Sequence, residues 1–243
     1  MKIKVINPNT YLAMTKSIDI IAKKCARPGT EIMCISPERG PITIEDNYDE
    51  ALATIGAIEE VKKGMQENFD GYVIACFRDA GLYACRELTE VPVIGMAEAS
   101  FFLACMLGHK YSIISILDRF KSSMEELLKK YGLDSRCASI RCTNVPVADF
   151  ERDRAKGEAA LIETGQKAIE QDGAEVLCLG CAGMVGFDQV MERTLHVPVI
   201  DPVVAAVKMA EAVIETGKKT SKIMTFKSPE KKEIVGYSSI FQI

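Results

Sequence analysis

Two cysteines stand where apolar segments of the chain end. The segment "DGYVIAC" ends at Cys76, and "GAEVLCLGC" ends at Cys181 about a hundred residues later. A single cysteine in such a place is usually a small hydrophobic core residue. Two thiols on opposite sides of a substrate could instead invert a carbon acid, because one would remove the proton while the other returns a proton from the far face. The placement of the two thiols in the fold therefore decides between a core role and catalysis.

This chemistry needs a thiolate near neutral pH. Both cysteines precede segments predicted to begin helices, and a helix N-terminus lowers a thiol pKa below its ordinary value of about 8.5. Backbone N–H groups at the same turns would bind the oxyanion or enolate that forms when the proton leaves. Such a proton transfer needs no cofactor, and we predict none.

An internal repeat puts the two thiols in equivalent positions. "KIKVIN" matches "KYSIIS", "DGYVIAC" matches "GAEVLCLGC", and "ELTEVPVIG" matches "RTLHVPVID". Repeated segments of this kind indicate a duplicated structural unit. In open α/β sheets ligands bind at the carboxyl ends of the strands, so Cys76 and Cys181 are predicted to face one cleft. A core role explains one such thiol well but explains the matched pair badly.

Short β-rich segments alternate with helical patterns along the chain. Strands are predicted at residues 2–7, 31–36, 72–76, 91–95, 110–115, 136–142, 175–181 and 197–201. Helices are predicted at residues 11–25, 48–68, 81–88, 99–107, 122–132, 149–171, 188–195 and 203–217. The alternation predicts an α/β fold of two pseudo-symmetric, Rossmann-like lobes with parallel sheets and the active site in the cleft between them. The first lobe would comprise residues 1–95 plus 202–243, and the second residues 96–201.

Composition excludes several classes of protein. The chain has 243 residues, 48% of them hydrophobic and 26% charged, as expected of a globular protein. A net charge of −4 and the lack of a dense basic segment argue against nucleic-acid binding. No apolar segment is long enough to cross a membrane, and the start lacks the apolar region of a secretory signal. We therefore predict a cytoplasmic protein that acts on a small molecule.

The nine cysteines do not point to a metal site. Their odd number and the missing signal predict free thiols in a reducing compartment. Cys178 and Cys181 form a C-x-x-C pair, but no second pair follows, and His109 and His196 are the only histidines. Zinc sites need four well-spaced ligands, so we predict no metal.

Four segments of the chain form a distinctive set of motifs: "INPNT" with a following "MT", "ACFRDAGL", "VPVIGMAEAS" and "LGCAGM". With these motifs the chain resembles the hydantoin racemases of the aspartate/glutamate racemase superfamily, and the resemblance covers roughly residues 1–217. It implies two α/β lobes, hydantoin-type substrates including allantoin, and a pair of catalytic cysteines that match Cys76 and Cys181. It also implies a homo-oligomer, since members of the family often assemble.

One motif departs from that family. Where relatives read "CFGDPGL", this chain reads "CFRDAGL", so Arg78 replaces a glycine and Ala80 a proline. An arginine two residues from a thiol could bind a substrate carboxylate in a bidentate manner, or could lower the thiol pKa. The alternative is a surface arginine paired with a neighbour such as Asp79.

Further substrate contacts are expected in the loops after the matched strands. The resemblance points to Asn9 and Thr10 in the first loop, although such residues are also typical of turns and helix caps. Ser115 occupies the matching place in the second half. The turns after the thiols would bind the anion, which adds the following candidates: Phe77, Asp79, Ala182 and Gly183. Glu98 and Asp201, each after a "VPVI" segment, are interpreted as helix N-terminal acids.

Three functions remain open at this stage. The first is a racemase that uses both thiols. The second is a related enzyme, either an amino-acid racemase or a cysteine-dependent isomerase of a maleate-type dicarboxylate. The third is a non-catalytic binding protein, since two lobes around a cleft also suit solute binding. The tail at 218–243 ends in "IVGYSSIFQI", which is predicted to dock on the body or on a neighbouring subunit.

Overall fold

A computed structural model describes residues 1–242, with only the backbone described at Ala148 and Glu151. Within that range the strands are β1 Lys2–Ile6, β2 Glu31–Ile35, β3 Gly71–Ile74, β4 Val93–Gly95, β5 Tyr111–Ser115, β6 Cys137–Cys142, β7 Val176–Leu179 and β8 Val199–Ile200. The α-helices are α1 Leu12–Cys25, α2 Asn47–Gly64, α3 Leu82–Leu88, α4 Met96–Leu107, α5 Lys121–Tyr131, α6 Val147–Arg152, α7 Arg154–Asp172, α8 Asp188–Leu195 and α9 Pro202–Glu215. None of the described helices is both long and apolar enough to cross a membrane.

The strands form two parallel four-stranded sheets with the same connectivity. Their orders are β2-β1-β3-β4 and β6-β5-β7-β8. The central strands β3, β5 and β7 are wholly buried because helices cover both faces of each sheet, and this explains their continuous apolar runs. The edge strands β2 and β6 are partly exposed. The predicted α/β fold with two matched parallel sheets is confirmed.

Two helices pack across the boundary between the sheets. The helix α4 follows β4 of the first sheet but contacts β7 and β8 of the second, and α9 follows β8 but packs on β3 and β4 of the first. The two helices also pack on each other. The larger hydrophobic core accordingly includes residues of both sheets, such as Val73 and Leu177. We propose that the lobes comprise residues 1–95 with 202–243 and residues 96–201, which places each exchanged helix with the sheet that it covers.

Three predicted helices differ clearly from the structure, and one of them, predicted at 48–68, ends at Gly64. The helix predicted at about 149–171 is present over most of its length as α7, but Asp153 leaves helical geometry (φ −138°, ψ 80°) and separates α7 from the short helix α6. The Asp153 carboxylate accepts a hydrogen bond from the backbone N–H of Lys156, so it begins a new helix as an N-cap. The helix predicted from residue 99 starts earlier, at Met96, because a carboxylate outside the helix caps its first turn.

The tail docks on the body of the same chain. The ring of Phe226 packs edge-on against Tyr83, and Phe241 is buried. Lys222 donates hydrogen bonds to the backbone carbonyls of Arg86 and Glu87 at the end of α3. The tail therefore covers the outer surface of α2 and α3.

Candidate active site

A cleft lies at the carboxyl ends of both sheets. The thiols of Cys76 and Cys181 both line it, each two residues beyond the end of its strand. The remaining lining residues are Asn7, Asn9, Met14, Ile44, Ala75, Phe77, Arg78, Ile116, Phe120, Met124, Val147, Gly180 and Ala182. Equivalent positions of the two halves thus bring the two thiols into one cavity.

Each thiol is held by the turn that follows it. Cys181 Sγ accepts a hydrogen bond from the backbone N–H of Gly183 at 3.3 Å. The backbone N–H of Arg78 makes the corresponding contact with Cys76 and lowers the pKa of that thiol. In both halves the donor is the residue two positions after the cysteine, so the turns are matched as well as the thiols.

Burial outweighs these hydrogen bonds. Loss of water around the thiol, together with the nearby carboxylates of Glu50 and Asp79, raises the pKa of Cys76 to about 12. Burial likewise raises the pKa of Cys181 to about 11. The expectation of lowered thiol pKa values is therefore wrong for the substrate-free protein.

The reason lies in where the helices begin. The helix α3 starts at Leu82, six positions after Cys76, and α8 starts at Asp188, seven positions after Cys181. The effect of a helix N-terminus fades beyond its first turn, so neither helix stabilises a thiolate at these positions. Instead of a helix N-terminus, each thiol contacts a single backbone N–H of the turn that follows it.

The loop after β1 forms a hydrogen-bonded network along one wall. The side-chain Nδ2 of Asn7 donates to Asn9 Oδ1 at 2.8 Å and to Thr15 Oγ1 at 2.9 Å. The backbone N–H of Tyr11 also donates to Asn9 Oδ1, at 3.0 Å. Asn9 lines the cleft as expected, whereas the hydroxyl of Thr10 donates to the carbonyl of Pro41 at 3.1 Å. Sequence reasoning missed Asn7, and its place directly after the strand was the available signal.

Arg78 lines the cleft, but its charge is already balanced. The guanidinium forms an ion pair with Glu50 on α2 and donates to Asn47 Oδ1. It also donates to Ser123 Oγ on α5 at 2.8 Å and lies over the Phe120 ring, with its central carbon 5.2 Å from the ring centroid. The arginine thus connects helices of both halves beside the cleft, and its partner is Glu50 rather than Asp79.

Asp79 has a different place from the one expected. Its carboxylate accepts hydrogen bonds from the backbone N–H groups of Ala97 and Glu98 at 3.0 and 2.9 Å. The hydroxyl of Tyr131 donates to it at 2.6 Å. Asp79 therefore caps α4 from outside the helix, and we do not propose it as a substrate ligand. Its burial raises the pKa of the carboxyl group to about 6.

Asp201 performs the same task in the second half from another position. Its carboxylate accepts from the backbone N–H groups of Val203 and Val204 in its own helix, and from Gly186 in the loop after Cys181. The interpretation of Asp201 as a helix N-terminal acid is confirmed. Glu98, in the first turn of α4, pairs with Arg86.

The other sequence candidates divide into two groups. Phe77 and Ala182 line the cleft. Within residues 1–242 the lining does not include Thr10, Ser115 or Gly183, although the backbone N–H of Gly183 donates to the Cys181 thiol. Ser115 is buried at the end of β5, where its carbonyl accepts from the backbone N–H of Thr143.

The wall of the cleft is mostly apolar. Side chains of Met14, Ile44 and Phe77 come from the first half, and four more come from the second half: Ile116, Phe120, Met124 and Val147. Among the residues that the structure describes, no group of three or more His, Cys, Asp or Glu side chains is arranged to hold a metal ion. The cleft thus offers two thiols, the amides of Asn7 and Asn9, the paired guanidinium of Arg78 and an apolar surface.

Comparison with known proteins shows which family the sequence matches. Residues 3–210 match the family model described as Asp/Glu/hydantoin racemase. A hydantoin racemase of Pseudomonas sp. (strain NS671) is 52% identical over 236 residues, which cover 97% of this chain and 95% of the relative. A hydantoin racemase of Paenarthrobacter aurescens is 44% identical over 234 residues, with 96% and 99% of the two chains covered.

A solved structure agrees along nearly the whole chain. The allantoin racemase from Klebsiella pneumoniae is 42% identical, and the match covers 97% of this chain and 96% of that one. The TM-score between the two structures is 0.95.

Proposed function

Because the chain belongs to the Asp/Glu/hydantoin racemase family, we propose that it racemises a hydantoin-type carbon acid with Cys76 and Cys181 as opposed base and acid. The observation that carries this proposal is that both thiols, at equivalent strand ends, line the same cleft. A core role would not require two matched cysteines at one cavity. Family membership makes the protein a racemase, and the substrate and residue roles are our proposal.

The reaction moves one proton off the ring and another one on. The thiolate of one cysteine takes the proton from the stereogenic ring carbon, and the bonding electrons pass to the adjacent carbonyl as an enolate. The neutral thiol of the other cysteine then protonates the opposite face. The two cysteines exchange protonation states in each turnover, so one form of the pair acts on each enantiomer.

The substrate is best matched by a neutral, apolar side arm. Apolar side chains form most of the wall, and burying them against such an arm favours binding. The charge of Arg78 is paired with Glu50, so a carboxylate arm would have to displace that partner. A hydantoin with an apolar substituent is therefore the proposed substrate class, and allantoin is the alternative suggested by the structural relative.

Two properties complete the proposal. We propose a homo-oligomer, supported by exposed apolar side chains on α4 such as Phe102 and Met106. We also propose that the protein works without a cofactor in the cytoplasm, where its cysteines stay reduced. All nine are free thiols in the structure.

The direct test is proton–deuterium exchange at the stereocentre, followed by NMR in deuterium oxide with chiral analysis. The panel contains hydantoins with apolar, aromatic and carboxylate arms, allantoin, aspartate, glutamate and maleate. The wild-type protein is expected to exchange and invert an apolar-arm hydantoin. Cys76→Ser and Cys181→Ser are each expected to lose at least about a thousandfold in kcat/KM, because a serine hydroxyl is a far weaker base and acid near neutral pH.

Cys137→Ser is the matched control, since Cys137 lies on β6 away from the cleft. It is expected to keep wild-type activity. Full activity in either Cys76→Ser or Cys181→Ser would exclude the two-thiol mechanism. Turnover of maleate alone would replace the racemase proposal with a dicarboxylate isomerase.

A further inference from the structure

The cleft contains a buried hydrogen-bond acceptor without a donor. Asn7 is 1% exposed and lines the cleft beside the thiols. Its side-chain oxygen Oδ1 has no hydrogen-bond partner among the described residues. A buried amide oxygen left unpaired costs on the order of 1–3 kcal/mol, so such an atom on a residue that lines a cleft points to a donor supplied by the ligand.

The surrounding network fixes which way the amide of Asn7 points. The backbone N–H of Tyr11 can only donate, so the atom of Asn9 that faces it must be the oxygen. That oxygen also faces the Asn7 side chain, which must therefore present its NH₂ group there. The second N–H of Asn7 is used by Thr15 Oγ1. The oxygen of Asn7 is consequently the group left over, and a flipped amide would set two oxygens against each other.

The polar groups of the cleft come from one half of the molecule. Asn7, Asn9 and Arg78 belong to the first half. Apart from Cys181, the lining side chains of the second half are apolar or absent, as at Ile116, Phe120 and Gly180. A ring bound between the thiols can therefore form side-chain hydrogen bonds only along the wall that contains Asn7.

We propose that Asn7 Oδ1 accepts a hydrogen bond from a ring N–H of the substrate, and that this contact selects cyclic ureides with a free N–H at that position. The inference rests on the proposed function and adds a specificity determinant to it. Methylation of the contacted nitrogen removes the donor and places a methyl group against the buried oxygen. A site built to pair with an N–H discriminates strongly against the analogue that lacks it, because its own polar group then stays unpaired.

The test is a cycle of enzyme variants and substrates. One apolar-arm hydantoin and its two N-methyl derivatives, at either ring nitrogen, are assayed for exchange with wild type, Asn7→Ala and Thr15→Val. Each rate is divided by the uncatalysed rate of the same compound, since methylation also changes the acidity of the ring. With wild type, one N-methyl derivative is expected to react about a hundredfold more slowly than the parent. With Asn7→Ala, which removes the oxygen and leaves room for the methyl group, that ratio is expected to fall to within about threefold.

Thr15→Val serves as the control, because it disturbs the same network but keeps the Asn7 oxygen. It is expected to retain the wild-type ratio between parent and N-methyl substrate, whatever its absolute rate. Equal wild-type rates on all three compounds would overturn the role of Asn7 and leave the racemase proposal intact. Discrimination that persists in Asn7→Ala would overturn it as well. Failure of the wild-type protein on every hydantoin would reject both proposals together. If Asn7→Ala does not fold, Asn7→Ser takes its place, and its ratio between parent and N-methyl substrate is compared with the wild-type ratio.

Discussion

The two thiols are arranged as strong bases that are rarely charged. A thiol with a raised pKa gives a thiolate that binds a proton tightly, but only a small fraction is ionised near neutral pH. The high basicity of the thiolate favours proton transfer from carbon, whereas the small ionised fraction limits its rate. The activity of the protein therefore depends on pH more strongly than it would with thiols of ordinary pKa.

The pH profile should report this directly. We expect kcat/KM to rise between pH 7 and pH 9.5 by up to about tenfold per pH unit, because only the ionised form of the first thiol can remove a proton. The apparent pKa belongs to the pair of thiols, since the second one is harder to ionise once the first is charged. The measurement is exchange at a fixed substrate concentration well below KM, in deuterium oxide, with the uncatalysed rate subtracted. A profile that is flat from pH 6 to pH 9 would contradict the raised thiol pKa values.

For single residues, the sequence identifies the two thiols but not the side chains that surround them. The repeat aligns Cys76 with Cys181 because both strand and turn are duplicated. Arg78 could not be placed from sequence, since its partners Glu50 and Ser123 lie 28 and 45 positions away. The unpaired oxygen of Asn7 likewise follows from contacts made in three dimensions.

At the scale of elements, the two halves cap their exchanged helices in different ways. The repeat aligns Gly95 with Asp201. In the first half a Cβ at Gly95 would lie 2.5 Å from the carboxylate of Asp79, which occupies the space that the Asp201 side chain fills in the second half. A carboxylate is thus kept at the start of each helix, although it comes from a different residue.

This relation predicts compensation between two substitutions. Gly95→Asp alone should destabilise the protein by about 1–3 kcal/mol through overpacking. Asp79→Gly alone should cost roughly 2 kcal/mol, because the amides of α4 lose their cap. In the double variant the new carboxylate can take the vacated place, so it should be more stable than the sum of the single effects by at least about 1 kcal/mol. Urea unfolding of the four proteins measures this coupling, and simple additivity would contradict it.

Helix boundaries show where local patterns fall short. The apolar spacing of residues 149–171 continues through Asp153, so periodicity alone predicts one helix. The break is stabilised by the side chain of Asp153 and by close packing of α6 on α7, where a Cβ at Gly157 would lie 2.8 Å from the ring of Phe150. The parallel arrangement of the strands, by contrast, follows from the alternation of strands and helices, and both sheets are parallel.

On the scale of the whole molecule, burial raises the pKa of eight of the nine thiols. These are Cys25, Cys34, Cys76, Cys85, Cys137, Cys142, Cys178 and Cys181. In the unfolded chain the pKa of each thiol returns to about 8.5. Between about pH 8.5 and pH 11 the unfolded state therefore binds fewer protons than the folded state, and stability falls as the pH rises.

The expected slope is steep for a protein of this size. Each fully buried thiol that is ionised only in the unfolded state, such as Cys85 or Cys178, lowers the free energy of unfolding by up to about 1.4 kcal/mol per pH unit, and the half-buried thiols contribute less. Urea unfolding under reducing conditions at pH 7.5, 9 and 10 measures the loss. Cys85→Ala, which removes one buried thiol behind the first sheet, should flatten the slope by about one thiol's share. Constant stability up to pH 10 would contradict this prediction.

The reciprocal placement of α4 and α9 bears on how such a chain could have arisen. A half-length ancestor that ended at the equivalent of Leu107 would have had no cover for its β3 and β4, and its last helix would have had no second sheet to pack on. Two copies that swapped their last helices would each cover the partner's β3 and β4 and give that helix a sheet to pack on, as in domain-swapped homodimers. Gene duplication and fusion would then join the two copies in one chain, and a single shared pocket with one thiol from each copy would follow from the symmetry of that dimer.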